Sequence, residues 1–234
     1  MDKPFSIEIR EKTRKSHRMV ENAAFIRGFL RGYVNPLNYL QLITDYALVY
    51  EKMEEEILKT KAHCPVVEQL YFPQLFRASL LHQDIHFFTQ ALRIKRNIRP
   101  TPSAEIYRNH IGKIAETFPY LLAAHIYTRY LGDLSGGRIL RKILSRALSL
   151  EGPEGLAFYE FPEIDSLPEF KAHFRSQLDS LQANTFQKEE IIGEANLVFH
   201  FNGGLFSELK GNSLHSAWRL LWPSANPFPK PQTI

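Results

Sequence analysis

The sequence predicts an all-α protein of one domain, with roughly seven or eight helices, and three observations carry that expectation. Apolar residues recur every three or four positions through most of the chain. Capping residues followed by proline punctuate those runs, and the two-residue apolar alternation of paired strands is missing. With 234 residues, 44% hydrophobic and 12% aromatic, the chain can bury one substantial core, and no linker-like stretch divides it. The expected domain covers residues 1–222. A proline-rich tail over 223–234 is expected to be extended and mobile, because Pro223, Pro227, Pro229 and Pro231 cannot continue a helix.

In chain order, Ser6 can cap a first helix running to about Gly32. Asn35-Pro36 is a cap with proline at the first helical position. Tyr39, Leu42 or Ile43, Tyr46, Tyr50, Met53 and Ile57 then mark one face of a long amphipathic helix that ends before Pro65. Leu75 to Leu92 and Ser103 to Phe118 read as two more helices, and Pro119 opens another that reaches about Leu150. After an irregular stretch from Glu154 to Asp165, a helix is expected from about Pro168 to Leu181. Thr185 can cap a last one reaching Trp222.

Composition narrows the function. One cysteine, Cys64, excludes an internal disulfide framework and a thiolate zinc site, so a reducing compartment fits: cytoplasm, or plastid stroma once a transit peptide is removed. No stretch approaches the ~18 uninterrupted apolar residues of a spanning helix, so no membrane partner is expected. Net charge is only +4, but cations cluster at Arg10 to Arg18, at Arg93 to Arg99 and at Arg138 to Arg146, which suits anionic ligands or acidic proteins. Each cluster also reads as an ordinary solvated helix face. No nucleic-acid motif accompanies them, so nucleic acid is not an expected partner.

The most informative stretch is Arg129-Tyr130-Leu131-Gly132-Asp133-Leu134-Ser135-Gly136-Gly137. Helix-interior glycine costs about 1 kcal/mol relative to alanine, so three glycines within one helical segment need a compensating role. Close approach supplies one: a backbone stripped of side chains can lie against a flat ligand, with Asp133 held beside it. His17 and Glu21, four apart in the first helix, share a face, and Glu21 can orient an imidazole that ligates a metal. Arg10 lies on that face too, about 10 Å from His17. A surface ion pair explains His17 and Glu21 equally well in isolation. His82 and His86 bracket Asp84 without a third ligand, His125 reads as a core residue of the glycine-bearing helix, and Glu54 to Glu56 reads as solvated face.

These residues occur with others in a fixed order. His17 with Glu21-Asn22-Ala23 is followed by Tyr50 with Glu54-Glu55-Glu56 and by Tyr71-Phe72-Pro73. Ala124-His125-Ile126-Tyr127-Thr128 then leads into the glycine-aspartate run, and Phe158 with Phe161-Pro162 closes the series. In this pattern the chain, over roughly residues 5–210, closely resembles the biliverdin-forming haem oxygenases of the eukaryotic and cyanobacterial type.

The resemblance implies a single-domain helical bundle in which haem b is both substrate and cofactor. It is cleaved at the α-meso carbon to biliverdin IXα, carbon monoxide and ferrous iron, using O2 and an external electron donor. His17 would be the iron ligand. Gly132 and Gly136 would leave room for oxygen on the opposite face, and Gly137 would help the helix bend. Asp133 would hold a water that delivers a proton, with Tyr50, Arg129 and Asn202 extending its network; Tyr50 alone also reads as a core tyrosine. Arg10, Lys171, Arg175 and Tyr127 match the positions that bind the haem propionates. An acidic donor such as ferredoxin would suit the basic clusters.

The chain departs from the pattern at His200, where an apolar residue is expected, and at Gly203-Gly204, which should loosen or bend the last helix beside Asn202. Two other readings stand beside the leading one. A non-catalytic haem carrier on the same scaffold would not need Asp133. A thiaminase-like helical enzyme would need a cysteine nucleophile, for which Cys64 is poorly placed.

Overall fold

A computed structural model describes residues 3–96 and 98–209. All regular structure among them is helical: α1 (Phe5–Glu21), α2 (Ala24–Leu30), α3 (Pro36–Thr60), α4 (Pro65–Gln69), α5 (Ala78–Ala91), α6 (Pro102–Thr117), α7 (Leu122–Leu148), α8 (Leu167–Asp179) and α9 (Thr185–Glu208). Single 3₁₀ turns occupy Pro73–Leu75, Pro119–Leu121 and Ala157–Tyr159. The expected tail over 223–234 and the last helix's expected reach to Trp222 lie outside the described residues.

Helix α3 is the central element, packed against α5, α6 and α7. Its expected stripe is buried: Tyr39, Ile43, Tyr50, Met53 and Ile57 all lie at 1% exposure or less, each stabilising the fold by about 1.5–3 kcal/mol relative to exposure. Asn35 starts α3 as expected, its side chain accepting from the Leu37 and Asn38 amides. Thr101 caps α6 before Pro102, and its own N–H and hydroxyl donate to Asp45, tying the start of α6 to α3.

Local chemistry misplaced several boundaries. Ser6 does not cap α1; its N–H donates to Asp179 of α8 at 2.8 Å, a partner 173 positions away. The first helix is also interrupted: Ala23 adopts an extended conformation (ψ 140°) and α2 restarts at Ala24. No glycine or proline marks that break. Tertiary packing makes it, because Phe25 stacks on Phe206 at 5.8 Å and Ala23 and Ile26 join Leu42 and Leu209 in a second apolar cluster. Asn184, not Thr185, caps α9 through a reciprocal capping box with Gln187. Pro119 opens a 3₁₀ turn rather than α7 itself.

Helices α7 and α9 both remain helical through their glycines. The loosening expected at Gly203-Gly204 is not seen, and α9 holds Asn202 buried at 6% exposure while His200 is exposed. Glu54 to Glu56 is not a solvated face either. Glu54 and Glu56 are each 7% exposed, and only Glu55 faces water.

Candidate active site

Helix α7 supplies the centre of the site. Thr128, Gly132 and Gly136 follow one another at four-residue intervals on one stripe. A Cβ added at Gly132 or Gly136 would meet no atom within 4 Å, so this stripe is bare and opens to space. Gly137 differs: it is buried, and a Cβ there would lie 3.6 Å from the Tyr159 ring. A methyl group there would make ordinary contact with that ring, so packing does not demand glycine at this position. Thr128 carries the one buried side-chain oxygen among the described residues that has no hydrogen-bond partner, and it lies on the bare stripe. The missing Cβ at two positions on one stripe fits a flat ligand lying against the helix backbone.

Beside that stripe the four residues expected to cooperate do meet. The Tyr50 hydroxyl donates to Asp133 Oδ2, Arg129 Nε donates to the Tyr50 oxygen at 3.1 Å, and Arg129 Nη1 donates to Asn202 Oδ1. The Arg129 guanidinium also lies over the Tyr46 and Tyr50 rings, 4.2 and 4.7 Å from their centroids. Asp133 Oδ1 has no protein partner among the described residues, which leaves it for water or ligand. Burial pushes the Asp133 carboxyl up to about 6, against the opposing pull of Arg129, the Tyr50 hydrogen bond and Arg77. A carboxyl at that value can hold and release a proton near neutrality. Burial likewise drives the Tyr50 hydroxyl well above the ordinary tyrosine range, so it remains a donor.

On α1, His17 is half exposed. Its Nδ1 faces Glu21 Oε2 at 3.4 Å, and its ring meets Phe199 edge-on at 5.4 Å. With Nδ1 turned to the carboxylate, Nε2 is the nitrogen left to ligate. Tyr127 is buried on α7, and burial raises its hydroxyl above the ordinary tyrosine range against the opposing influence of Thr13, Arg10 and Arg175. Among the described residues no carboxylate lies within ion-pair distance of Arg10, Lys171 or Arg175. Uncompensated cations around a hydroxyl suit a ligand with carboxylates of its own.

Other histidines separate. Asp84 is buried and accepts from the Ala157 and Phe158 amides, His82 pairs with Glu51, and His86 with Gln90, so that trio is no metal site. His125 is fully buried, as expected of a core residue. Its neighbours were not foreseen: Nδ1 meets the Tyr107 hydroxyl at 3.2 Å, and Nε2 meets Glu194 Oε1 at 2.9 Å. His110 Nε2 reaches the same oxygen at 2.7 Å. Glu54 was also missed. Placed one turn after Tyr50, it accepts from the Arg77 and Ala78 amides and from Tyr130, and burial raises its carboxyl to about 7. The i, i+4 spacing of Tyr46, Tyr50 and Glu54 on the buried stripe of α3 was the available signal.

Comparison with known proteins agrees with this geometry. The family model described as "Heme oxygenase" matches residues 3–208, which includes every candidate residue above. The chain belongs to the heme oxygenase family. It is 41% identical to the heme oxygenase of Rhodella violacea over 90% of this chain and 89% of that one, and 41% identical to heme oxygenase 1 of Synechocystis over 88% and 84%. Among solved structures, heme oxygenase-1 from Synechocystis in complex with heme superposes with a TM-score of 0.87 at 38% identity, covering 94% of this chain and 99% of that one. The heme oxygenase of Leptospira interrogans gives 0.83 at 41% identity, covering 88% and 100%. No helix among the described residues is long and apolar enough to cross a membrane.

Proposed function

We propose that the chain binds haem between His17 and the bare stripe of α7 and opens its ring at the α-meso carbon, producing biliverdin IXα, carbon monoxide and ferrous iron with O2 and electrons from an acidic donor such as ferredoxin. The observation that carries this reading is the joining of Asp133, Tyr50, Arg129 and Asn202 into one hydrogen-bonded set beside two glycines that leave a helix face empty. The haem-bound structure of a relative 38% identical supports the ligand.

Haem, when bound, supplies both the iron that activates oxygen and the carbon that is oxidised. The remaining steps belong to the chain. His17 Nε2 would ligate from one side, with Glu21 orienting the ring. Arg10, Lys171, Arg175 and the Tyr127 hydroxyl would hold the two propionates and so select one rotation of the ring. Gly132 and Gly136 keep the opposite side clear of side chains. Asp133 Oδ1 would position a water and hold a proton at that carboxyl, while the Tyr50 hydroxyl, itself held by Arg129, keeps the carboxyl fixed through Oδ2. Such a proton donor has no task in a haem carrier, which is the reason to favour turnover. The exposed cations Arg138, Lys142 and Arg146 along α7 suit an acidic electron donor.

The test is to add hemin to the purified chain, record the Soret band, then supply O2 with reduced ferredoxin and follow biliverdin. An imidazole-ligated spectrum and biliverdin formation are expected, with a rate that falls as salt rises. His17→Ala should lose the imidazole-ligated spectrum. Asp133→Ala should keep haem, lose turnover by about 10²–10⁴-fold and gain peroxidase-like oxidation. Failure to take up hemin with an imidazole spectrum overturns the reading. Wild-type biliverdin production by the Asp133 variant removes that residue from the mechanism, and a salt-independent rate removes the acidic donor.

A further inference from the structure

Helices α6, α7 and α9 bring His110, His125 and Glu194 together, with the three donor atoms all within 4.8 Å of one another. We propose that these three side chains bind one divalent transition-metal ion of the Zn²⁺ class through two imidazole Nε2 atoms and a carboxylate oxygen. Two neutral imidazoles and one carboxylate form a donor set that Zn²⁺ accepts, with a fourth position left for water.

The geometry supplies what such a site needs beyond its ligands. Both Nε2 atoms converge on Glu194 Oε1, at 2.7 and 2.9 Å, while Oε2 has no hydrogen bond among the described residues. Donors around a tetrahedral ion with bonds near 2.0 Å stand roughly 3.3 Å apart, so each nitrogen has to withdraw from that oxygen by about 0.5 Å and the two nitrogens, which stand within 4.8 Å of one another, have to settle at the same spacing. His125 is oriented from behind by Tyr107, whose ring is held in turn by stacking on Phe201 at 4.8 Å. A metal at Nε2 places the imidazole proton on Nδ1, and the Tyr107 oxygen can accept it there. Access comes from the His110 side, where that side chain keeps 23% of its surface exposed. His110 itself rests against Phe201 at 4.9 Å, which limits its freedom.

One feature opposes binding. Arg129, one helical turn beyond His125, acts on it as a nearby cation. The negative charge of Glu194 must therefore offset both the ion and that guanidinium, which makes the carboxylate the most sensitive of the three ligands.

Co²⁺ is the probe, because its visible d–d bands report tetrahedral nitrogen and oxygen ligation. The metal-stripped full chain is titrated with Co²⁺ and then with Zn²⁺, in the wild type and in His17→Ala, so that ligation at His17 is separated from the new site. One equivalent with tetrahedral bands, displaced by Zn²⁺ and unchanged in His17→Ala and His82→Ala, is expected. Glu194→Gln, which is nearly isosteric, and His110→Ala, at a partly exposed position, should each abolish the bands while retaining the helical circular dichroism of the wild type. Tyr107→Phe should weaken binding by about 10-fold. X-ray absorption at the Zn²⁺ edge of the wild type, which needs no variant, should show two imidazoles and oxygen. Absence of the bands at stoichiometric Co²⁺, their survival in Glu194→Gln and His110→Ala, their loss in His17→Ala, or sulfur ligation at the edge each overturns the proposal. None of these readouts involves haem, so they stand or fall separately from the oxygenase reading.

Discussion

The two sides of the candidate haem site are built in opposite ways. On the α7 side the working groups satisfy one another before any ligand arrives: Asp133, Tyr50, Arg129 and Asn202 form a continuous set, and Tyr46 packs against the guanidinium. On the α1 side His17 is half exposed, and Arg10 and Arg175 have no anionic partner among the described residues. The difference is the one that the proposed roles of the two sides would require. A proton donor must be held at one height and one pKa, which takes buried neighbours on several helices. A metal ligand and a propionate clamp are completed by the ligand itself, so they need only a helix face that points the right way.

The contrast is broken most severely at Arg129. Arg129→Met leaves Tyr50, Asn202 and Asp133 without the charge that links them and should destabilise the haem-free fold by about 3–5 kcal/mol, read from urea unfolding. A shift under ~1 kcal/mol would mean that the α7 set is not preorganised. Glu54 sharpens the point through pH. Its folded carboxyl is raised from 4.5 to about 7, so over that window the folded state holds a proton that the unfolded state has released. Stability should therefore fall as pH rises from 4.5 to about 7 and level off above it, and Glu54→Gln should flatten that slope in unfolding measured across the window.

A smaller effect with the opposite sign is expected at the bare stripe. Gly136→Ala meets no neighbour, so it should stabilise the haem-free helix by about 0.5–1 kcal/mol while weakening hemin binding. Loss of stability together with unchanged hemin affinity would show that this face does not receive the ligand. The smallest effect belongs to α1: His17→Ala should leave the unfolding midpoint within about 0.5 kcal/mol of the wild type, since the side chain holds little of the fold. A large destabilisation there would erase the distinction between the two sides.

How far the site could be read in advance depended on the kind of signal. Gly132, Asp133 and Gly136 were visible because three glycines in a helical segment contradict local propensity, and such contradictions need a functional reason. His17 with Glu21 was visible as a helical spacing, and Lys171 and Arg175 entered through the family resemblance. Glu54 was misread: a run of three glutamates has the composition of a surface, and only the amides of Arg77 and Ala78, brought in by a different segment, make burial of that carboxylate tolerable.

By itself the sequence determined the helical class, most helix starts with a strong cap and proline, the buried stripe of α3 and the bare stripe of α7. These depend on residues within a few turns of one another, where spacing alone decides which side chains share a face. Tertiary structure decided the break at Ala23, the capping of α1 by Asp179, the burial of Glu54 and the meeting of His110, His125 and Glu194. In each of these the partner lies on another element, so the energy that selects the conformation exists only once the helices have packed.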